Sequence, residues 1–278
     1  MARIMSTTAP ATRRVTVDEY VRFRAEGYLI VRGLVAPGEV GELLAHVDEM
    51  PADIERIHFL HRRLEIHERF MLHPRVLDVV QALIGPDVLA LQTMLFVKRP
   101  GSPGQGYHQD SYHILTEPDT LIGAWIALDR ADEENGCVRI TAGSQNEPVY
   151  PDVNEAAGHG GTTLLADIPA VAGADDPDQS RNDLTAVAAR YPGREVAAVL
   201  DAGDAVFFGG RVLHRSHANR SATRCRRSFV AHYCNARSYV PWDDEPPGDG
   251  EMANARHILA RGSTHLPYAR PRFGSPVG

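Results

Sequence analysis

Tyr107-His108-Gln109-Asp110-Ser111 sets an imidazole and a carboxylate two residues apart. On a β-strand, residues two apart point to the same face. His108 and Asp110 are therefore expected to project together into whatever that face lines. This is two thirds of the two-histidine, one-carboxylate arrangement that leaves half of an Fe(II) coordination sphere open. The third ligand has to come from far along the chain, and His214 is the candidate. A His-x-Asp triplet alone is a weak signal, common in surface loops, and its flanks give it weight.

Those flanks read as strands. The run 88–98 (Val-Leu-Ala-Leu-Gln-Thr-Met-Leu-Phe-Val-Lys) is β-rich and apolar, and a Pro- and Gly-rich loop at 99–106 links it to His108. Residues 121–128 form a buried-strand run, and 132–136 a turn into a strand at 137–141. Strands resume at 195–200, 204–208, 211–216 and 226–234. Helices precede them. Thr16 and Glu19 form a capping box for a first helix that Gly27 ends. Val40, Leu43, Leu44 and Val47 stripe a second helix that starts at Pro37, and the apolar positions of 74–83 mark a third. Residues 58–72 read as helix or loop. Helices first and antiparallel strands after predict an all-β core with flanking helices, a double-stranded β-helix or jelly roll. The chain is expected to form one domain, 1–278. Within it, 1–14 is a tail, 145–193 a polar lid or insert loop, and 238–278, with Trp242 and Tyr268, a wrap over the surface.

A net charge of −7 argues against a nucleic-acid or anionic-membrane footprint. No apolar run is long enough to cross a bilayer, and the first residues lack the apolar core of a secretory signal. Cys137, Cys225 and Cys234 give neither a disulfide framework nor a metal-binding spacing, so a reducing cytoplasm is expected. Lys98 is the only lysine in the chain. A compact ammonium is not equivalent to a guanidinium, and its place on an apolar strand ten residues before His108 points to function rather than to chance survival.

The distal half of the chain carries a resemblance. Gly203-Asp204-Ala205-Val206-Phe207-Phe208, His214-Arg215-Ser216, Asn219-Arg220-Ser221, Arg226-Arg227 and His232-Tyr233 are similar to the phytanoyl-CoA dioxygenase family of Fe(II)- and 2-oxoglutarate-dependent oxygenases. The proximal half matches through Phe96-Val97-Lys98, His108-Gln109-Asp110, the 124–128 strand, and Glu134-Asn135-Gly136-Cys137 through Gly143-Ser144. The resemblance implies that His108, Asp110 and His214 hold iron, with O2 and 2-oxoglutarate as co-substrates. It also implies that an arginine on the strand after His214 grips the far carboxylate of 2-oxoglutarate. Counting back from His232-Tyr233 selects Arg226; counting forward from His214 leaves Arg224 and Arg227 open. Ser216 resembles the family's hydroxyl contact to the cosubstrate, Trp125 packs beside it or is plain core, and Lys98 and Gln92 resemble pocket-lining positions. His113 and His217 stand at odd offsets from the candidate ligands and are expected on the opposite face. His232 shares its strand parity with Arg226, as a pocket or core histidine.

The function implied is a hydroxylase for a small-molecule substrate, forming succinate and CO2. Two alternatives stand beside it: the same chemistry on an acyl thioester, for which Arg62, Arg63 and Arg69 are a candidate patch, and a jelly-roll protein that binds a metal or 2-oxo acid without turnover. A zinc hydrolase is disfavoured, because no general base is signalled beside the triad. The substrate's identity, hydroxylation versus another oxidation such as desaturation or ring formation, and the oligomeric state are left open.

Overall fold

The computed structural model describes residues 12–150, 178, 181–241 and 256–265. Most of the expected tail and of the expected lid, Trp242 and Tyr268 lie outside the described residues. In chain order the first elements are α1 (Val17–Glu26), β1 (Tyr28–Val31), α2 (Pro37–Asp48), β2 (Arg56–His58), α3 (Glu65–Met71) and α4 (Pro74–Ile84). The central ones are β3 (Val88–Lys98), β4 (Gln105–His108), α5 (Asp110–His113), β5 (Ile122–Ala127) and β6 (Val138–Thr141). Then follow α6 (Leu184–Ala188), β7 (Glu195–Ala197), β8 (Ala205–Gly209), β9 (His214–Ser216), β10 (Arg226–Asn235) and β11 (Ile258–Arg261). The capping box on α1 is present: Thr16 Oγ1 accepts from the Glu19 amide at 3.2 Å, and the Glu19 carboxylate accepts from the Thr16 amide at 2.8 Å.

Two antiparallel sheets form the jelly roll. The larger runs β1-β8-β5-β10-β3-β11, with β2 also on β3; the smaller runs β4-β9-β6-β7. Register across the larger sheet sorts its residues into rows. His58, Met94, Val230, Trp125, Val206 and Ile30 stand opposite one another, as do Gln92, His232, Gly123, Phe208 and Tyr28. These rows face the smaller sheet, where Trp125, Val206, Phe208 and Val230 pack with Val138 and Ile140. The alternate rows carry Leu95, Phe229, Ile126, Ala205 and Val31 to the other face, against the apolar stripes of α2 and α4. Burying each such large side chain contributes roughly 1.5–3 kcal/mol. His232 pairs with Gln92 while Tyr233 pairs with Ala90, so Leu91 is an extra residue, a bulge near the middle of β3.

Two strands were not read from the sequence. β2 ends at His58, where the stretch read as helix or loop begins, and β11 lies in the C-terminal stretch read as a surface wrap. Both are short and pair along β3. Their side chains meet a partner strand far away in sequence, so no local period marks them.

α3 is tied to the sheet by Tyr233, whose hydroxyl donates to the Met71 carbonyl at 2.7 Å. It also buries His67, whose ring lies 5.8 Å from Phe229 and 5.3 Å from His46. Neither ring nitrogen of His67 has a hydrogen-bond partner among the described residues. Burial, reinforced by neighbouring His46, pushes its pKa down to about 4. The unfolded chain, with an ordinary histidine near 6.5, then binds more protons than the folded one between these values. Stability from this group is therefore complete above about pH 6.5 and falls as the pH drops towards 4. In urea unfolding, His67→Leu is expected to gain about 2 kcal/mol relative to the native chain between pH 7.5 and pH 5. A difference independent of pH would contradict this.

Candidate metal centre

β4 ends at His108, and Asp110 opens the helical turn α5, so the two are not on one strand as expected. They converge because Gln109 is extended and clamped: its amide donates to the carbonyls of Pro148 at 3.0 Å and Arg211 at 2.8 Å, and its carbonyl accepts from the Tyr150 amide at 3.0 Å. The turn is held against the β8–β9 corner, where the Ser111 amide donates to the Gly210 carbonyl at 2.9 Å. A Cβ at Gly210 would lie 2.2 Å from Ser111 Oγ, so this approach requires glycine. His214 stands opposite His108 in the β4–β9 register, with ring centroids 4.0 Å apart.

The protons on both rings are assigned by their partners. His108 Nδ1 lies 3.0 Å from the Gly106 carbonyl and His214 Nδ1 lies 3.0 Å from the Val212 carbonyl. A carbonyl only accepts, so each Nδ1 carries hydrogen and each Nε2 presents a lone pair in the neutral ring. The two Nε2 atoms lie 3.9 and 3.6 Å from Asp110 Oδ1, and the three candidate ligand atoms are all within 4.8 Å of one another. Burial alone would raise the Asp110 carboxyl, but the imidazoles of His214, His232 and His108 outweigh it and hold the group far below the usual carboxylate range. Two imidazole nitrogens and one ionised carboxylate oxygen, so placed, fit a divalent iron ion. The other carboxylate oxygen, Oδ2, meets His232 Nε2 at 3.1 Å, and His232 Nδ1 meets Gln92 Nε2 at 3.2 Å.

Beside the triad is a corner built of two buried cations. Arg226 and Lys98 are register partners on β10 and β3. Arg226 donates through Nη1 to Ser228 Oγ at 3.0 Å and lies over Trp125, 5.4 Å from the ring centroid. Its Nε has no partner, and no carboxylate pairs with it among the described residues. Lys98 Nζ donates to Ser216 Oγ at 3.0 Å and to the His217 carbonyl at 2.5 Å. Burial pushes Arg226 down to about 10; burial and then Arg226 push Lys98 down to about 7. Buried charge without a counter-ion is costly, so the corner is suited to an anion. The neighbouring arginines face elsewhere: Arg224 pairs with Asp132 and Glu134, and Arg227 with Asp129 and Asp48.

A cavity of about 340 Å³ runs from the triad to Arg226, and Gln92, Trp125 and Ser216 line it together with His232; Lys98, expected among the lining residues, meets it only through Ser216. It includes residues not singled out from the sequence. Arg56 and His58 reach it from β2, Met94 and Phe96 from β3, and Gln105 from the start of β4. The alternation along 88–98 already put Met94 and Phe96 on the face of Gln92 and Lys98; Arg56 and His58 carried no comparable signal. His113, expected on the opposite face, also lines the cavity, because 110–113 is a helical turn in which the third residue onward returns to the same side. His217 turns its ring to Asp178 at 2.5 Å and offers the site only its carbonyl. Of the arginines considered for a thioester carrier, Arg69 pairs with Glu42 and Arg62 stacks on Phe59.

Because Lys98 is the only lysine, its side-chain resonances are unique in a lysine-labelled sample. Their pH titration in the metal-free protein is expected to centre near 7 and to move upward when 2-oxoglutarate is added, since a neighbouring anion favours the ammonium. A midpoint near the ordinary 10.5 in both samples would rule out the buried two-cation corner.

Among curated proteins, the chain is 27% identical over 230 residues to the peroxisomal phytanoyl-CoA dioxygenase of Rattus norvegicus, covering 79% of this chain and 62% of the rat protein. It is 29% identical over 198 residues to phytanoyl-CoA dioxygenase domain-containing protein 1 of Danio rerio, covering 68% of this chain and 59% of that one. The match thus spans under two thirds of these relatives' length. Among solved structures, the epimerase SnoN in complex with Fe3+, alpha ketoglutarate and nogalamycin RO superposes with a TM-score of 0.65 at 22% identity, over 91% of this chain and 96% of that one. EctD from S. alaskensis with 2-oxoglutarate and 5-hydroxyectoine superposes at 0.57 with 19% identity, over 80% of this chain and 77% of that one. At these identities the likeness is one of fold. The family model described as phytanoyl-CoA dioxygenase (PhyH) matches residues 23–228, most of the sequence. The chain belongs to the phytanoyl-CoA dioxygenase family.

Proposed function

We propose that this chain is an Fe(II)- and 2-oxoglutarate-dependent dioxygenase that hydroxylates a small-molecule substrate. The observation that carries the reading is the convergence of three lone-pair donors, His108 Nε2, His214 Nε2 and Asp110 Oδ1, beside a buried guanidinium with no carboxylate partner among the described residues. His108, Asp110 and His214 would hold the iron. When bound there, Fe(II) supplies the redox chemistry by which 2-oxoglutarate and O2 yield succinate and CO2, with the second oxygen atom going to the substrate's C–H bond.

The chain's own residues do the rest. Both histidines are held as neutral ligands by the carbonyls two residues upstream. Arg226 takes the far carboxylate of 2-oxoglutarate, with Lys98 adding charge through its place on Ser216. Trp125 supports the guanidinium from one face, and Phe96, Val138 and Val230 give the cavity apolar walls that limit water. A carboxylate at 110 fills the ligand position that a small residue would leave for a halide, so the reading is oxygenation rather than halogenation. The absence of nucleic-acid signals and the free cysteines fit a small-molecule enzyme of a reducing compartment such as the cytoplasm. No helix among the described residues is long and apolar enough to cross a membrane.

The test is oxygen uptake with succinate release on adding Fe(II) and 2-oxoglutarate, uncoupled or stimulated by candidate substrates. A protein that only binds consumes no oxygen, and a chlorinated product formed in chloride would overturn the assignment of outcome. Within this reading, Arg226→Ala is expected to raise the 2-oxoglutarate concentration for half-maximal succinate formation about ten- to a hundredfold. That is the equivalent of roughly 1.5–3 kcal/mol for a charge-assisted hydrogen bond. Metal binding is expected to persist in that variant. Arg227→Ala, whose side chain is spent on Asp129 and Asp48, is expected to leave the requirement nearly unchanged. The reverse pattern would show that the wrong arginine has been assigned.

A further inference from the structure

Asp110 differs from the two histidines in how it is held. Each histidine is oriented by a carbonyl two residues back on its own segment. Asp110 sits on a four-residue helical turn, and the side chain bonded to its carboxylate comes from β10, 122 positions along the chain. We propose that Gln92 and His232 form a relay that presents Asp110 to the metal through one oxygen only.

The direction of the relay follows from what each atom can give. Gln92 Nε2 carries only hydrogens to donate, and its acceptors are His232 Nδ1 at 3.2 Å and Met94 Sδ at 3.7 Å. His232 Nδ1 therefore accepts, and the ring's proton is left on Nε2. That N–H points at Asp110 Oδ2, 3.1 Å away, and donates to it. Oδ2 is engaged, while Oδ1 faces His108 and His214.

The sheet makes room for this arrangement. Gln92 and His232 are register partners, and Gly123 is the next residue in their row on β5. A Cβ on Gly123 would lie 3.3 Å from Phe208 Cε2 and 3.5 Å from both Asp110 Oδ2 and His232 Nε2, so a side chain longer than alanine's would crowd the pair. A carboxylate held by one oxygen occupies one coordination position; one that swung to bind through both would take a second. The relay thus keeps free the positions that a bidentate 2-oxo acid and O2 require. Gln92 and His232 act through Asp110 and are positioning residues.

This inference rests on His108, Asp110 and His214 being the metal ligands, so the experiment reads metal binding rather than turnover. Full-length protein is titrated with Co(II), following the dissociation constant and the visible d–d absorption. Wild type against His108→Ala tests the ligand assignment; equal weak binding by both would remove the assignment and the relay together. With wild type binding, His232→Leu is expected to bind Co(II) about 10- to 100-fold more weakly, as is usual when a ligand's hydrogen-bonding partner is lost, with an altered spectrum. His232→Gln, which keeps an amide donor towards Oδ2, is expected to recover most of the affinity. Gln92→Leu is expected to weaken binding by itself but to add nothing in the His232→Leu background, because it acts through the imidazole. Wild-type affinity and spectrum in His232→Leu would overturn the relay, as would a Gln92→Leu effect that persists unchanged without His232. Should His232→Leu fail to fold, the same comparison is made with His232→Gln: recovery there together with loss in Gln92→Leu supports the relay, and wild-type binding in Gln92→Leu overturns it.

Discussion

The antiparallel register of β10 on β3 is the constraint on which the rest of the molecule depends. It places Arg226 opposite Lys98 and His232 opposite Gln92 on one face, and Phe229 opposite Leu95 on the other. Side chains alternate strictly between faces, so a slip of β10 by one residue would carry Arg226 and His232 into the helix-packed core and Phe229 into the cavity. Burying those polar groups without partners would cost an amount comparable to the stability of an ordinary domain. The core that fixes the register is the one formed by Phe229, Ala231 and Tyr233 with α3 and α4.

The candidate site is organised chiefly by the placement of protons. Carbonyls of Gly106 and Val212 leave lone pairs on two Nε2 atoms, and the Gln92 amide leaves a proton on the third. Each assignment follows from a partner that can only accept or only donate, so the rings are set before any ligand arrives. The charges are set the same way. One ionised carboxylate stands among imidazoles, and two buried cations stand near it with no carboxylate between them. Such a site gains from taking up a metal cation and an organic anion together, since each supplies charge that the other region lacks.

Short-range patterns in the sequence carried much of the architecture. The capping box at Thr16, the stripe of Val40, Leu43 and Val47, and the alternation along β10 are each set by residues a few positions apart. The capping box is present and the α2 stripe is buried, whereas β10 is buried on both faces. The triad His108, Asp110 and His214 was legible because the carboxylate and one imidazole lie within three residues. The choice of Arg226 over Arg224 and Arg227 was open in the sequence; in the fold, Arg226 faces the cavity while the other two are spent on surface acids.

What the sequence by itself determined is therefore the class of fold and the donor types available for a metal. What only the tertiary structure decided is how distant strands complete those local signals. β2 and β11 exist because β3 offers them hydrogen bonds, and His113 joins the cavity because a helical turn interrupts the strand after His108. The partnership of Gln92, His232 and Asp110 arises where three elements meet. Local periodicity encodes which face a side chain takes within its own element. Which atom it meets there depends on the register between elements far apart in the chain, and that register is a cooperative property of the packed core.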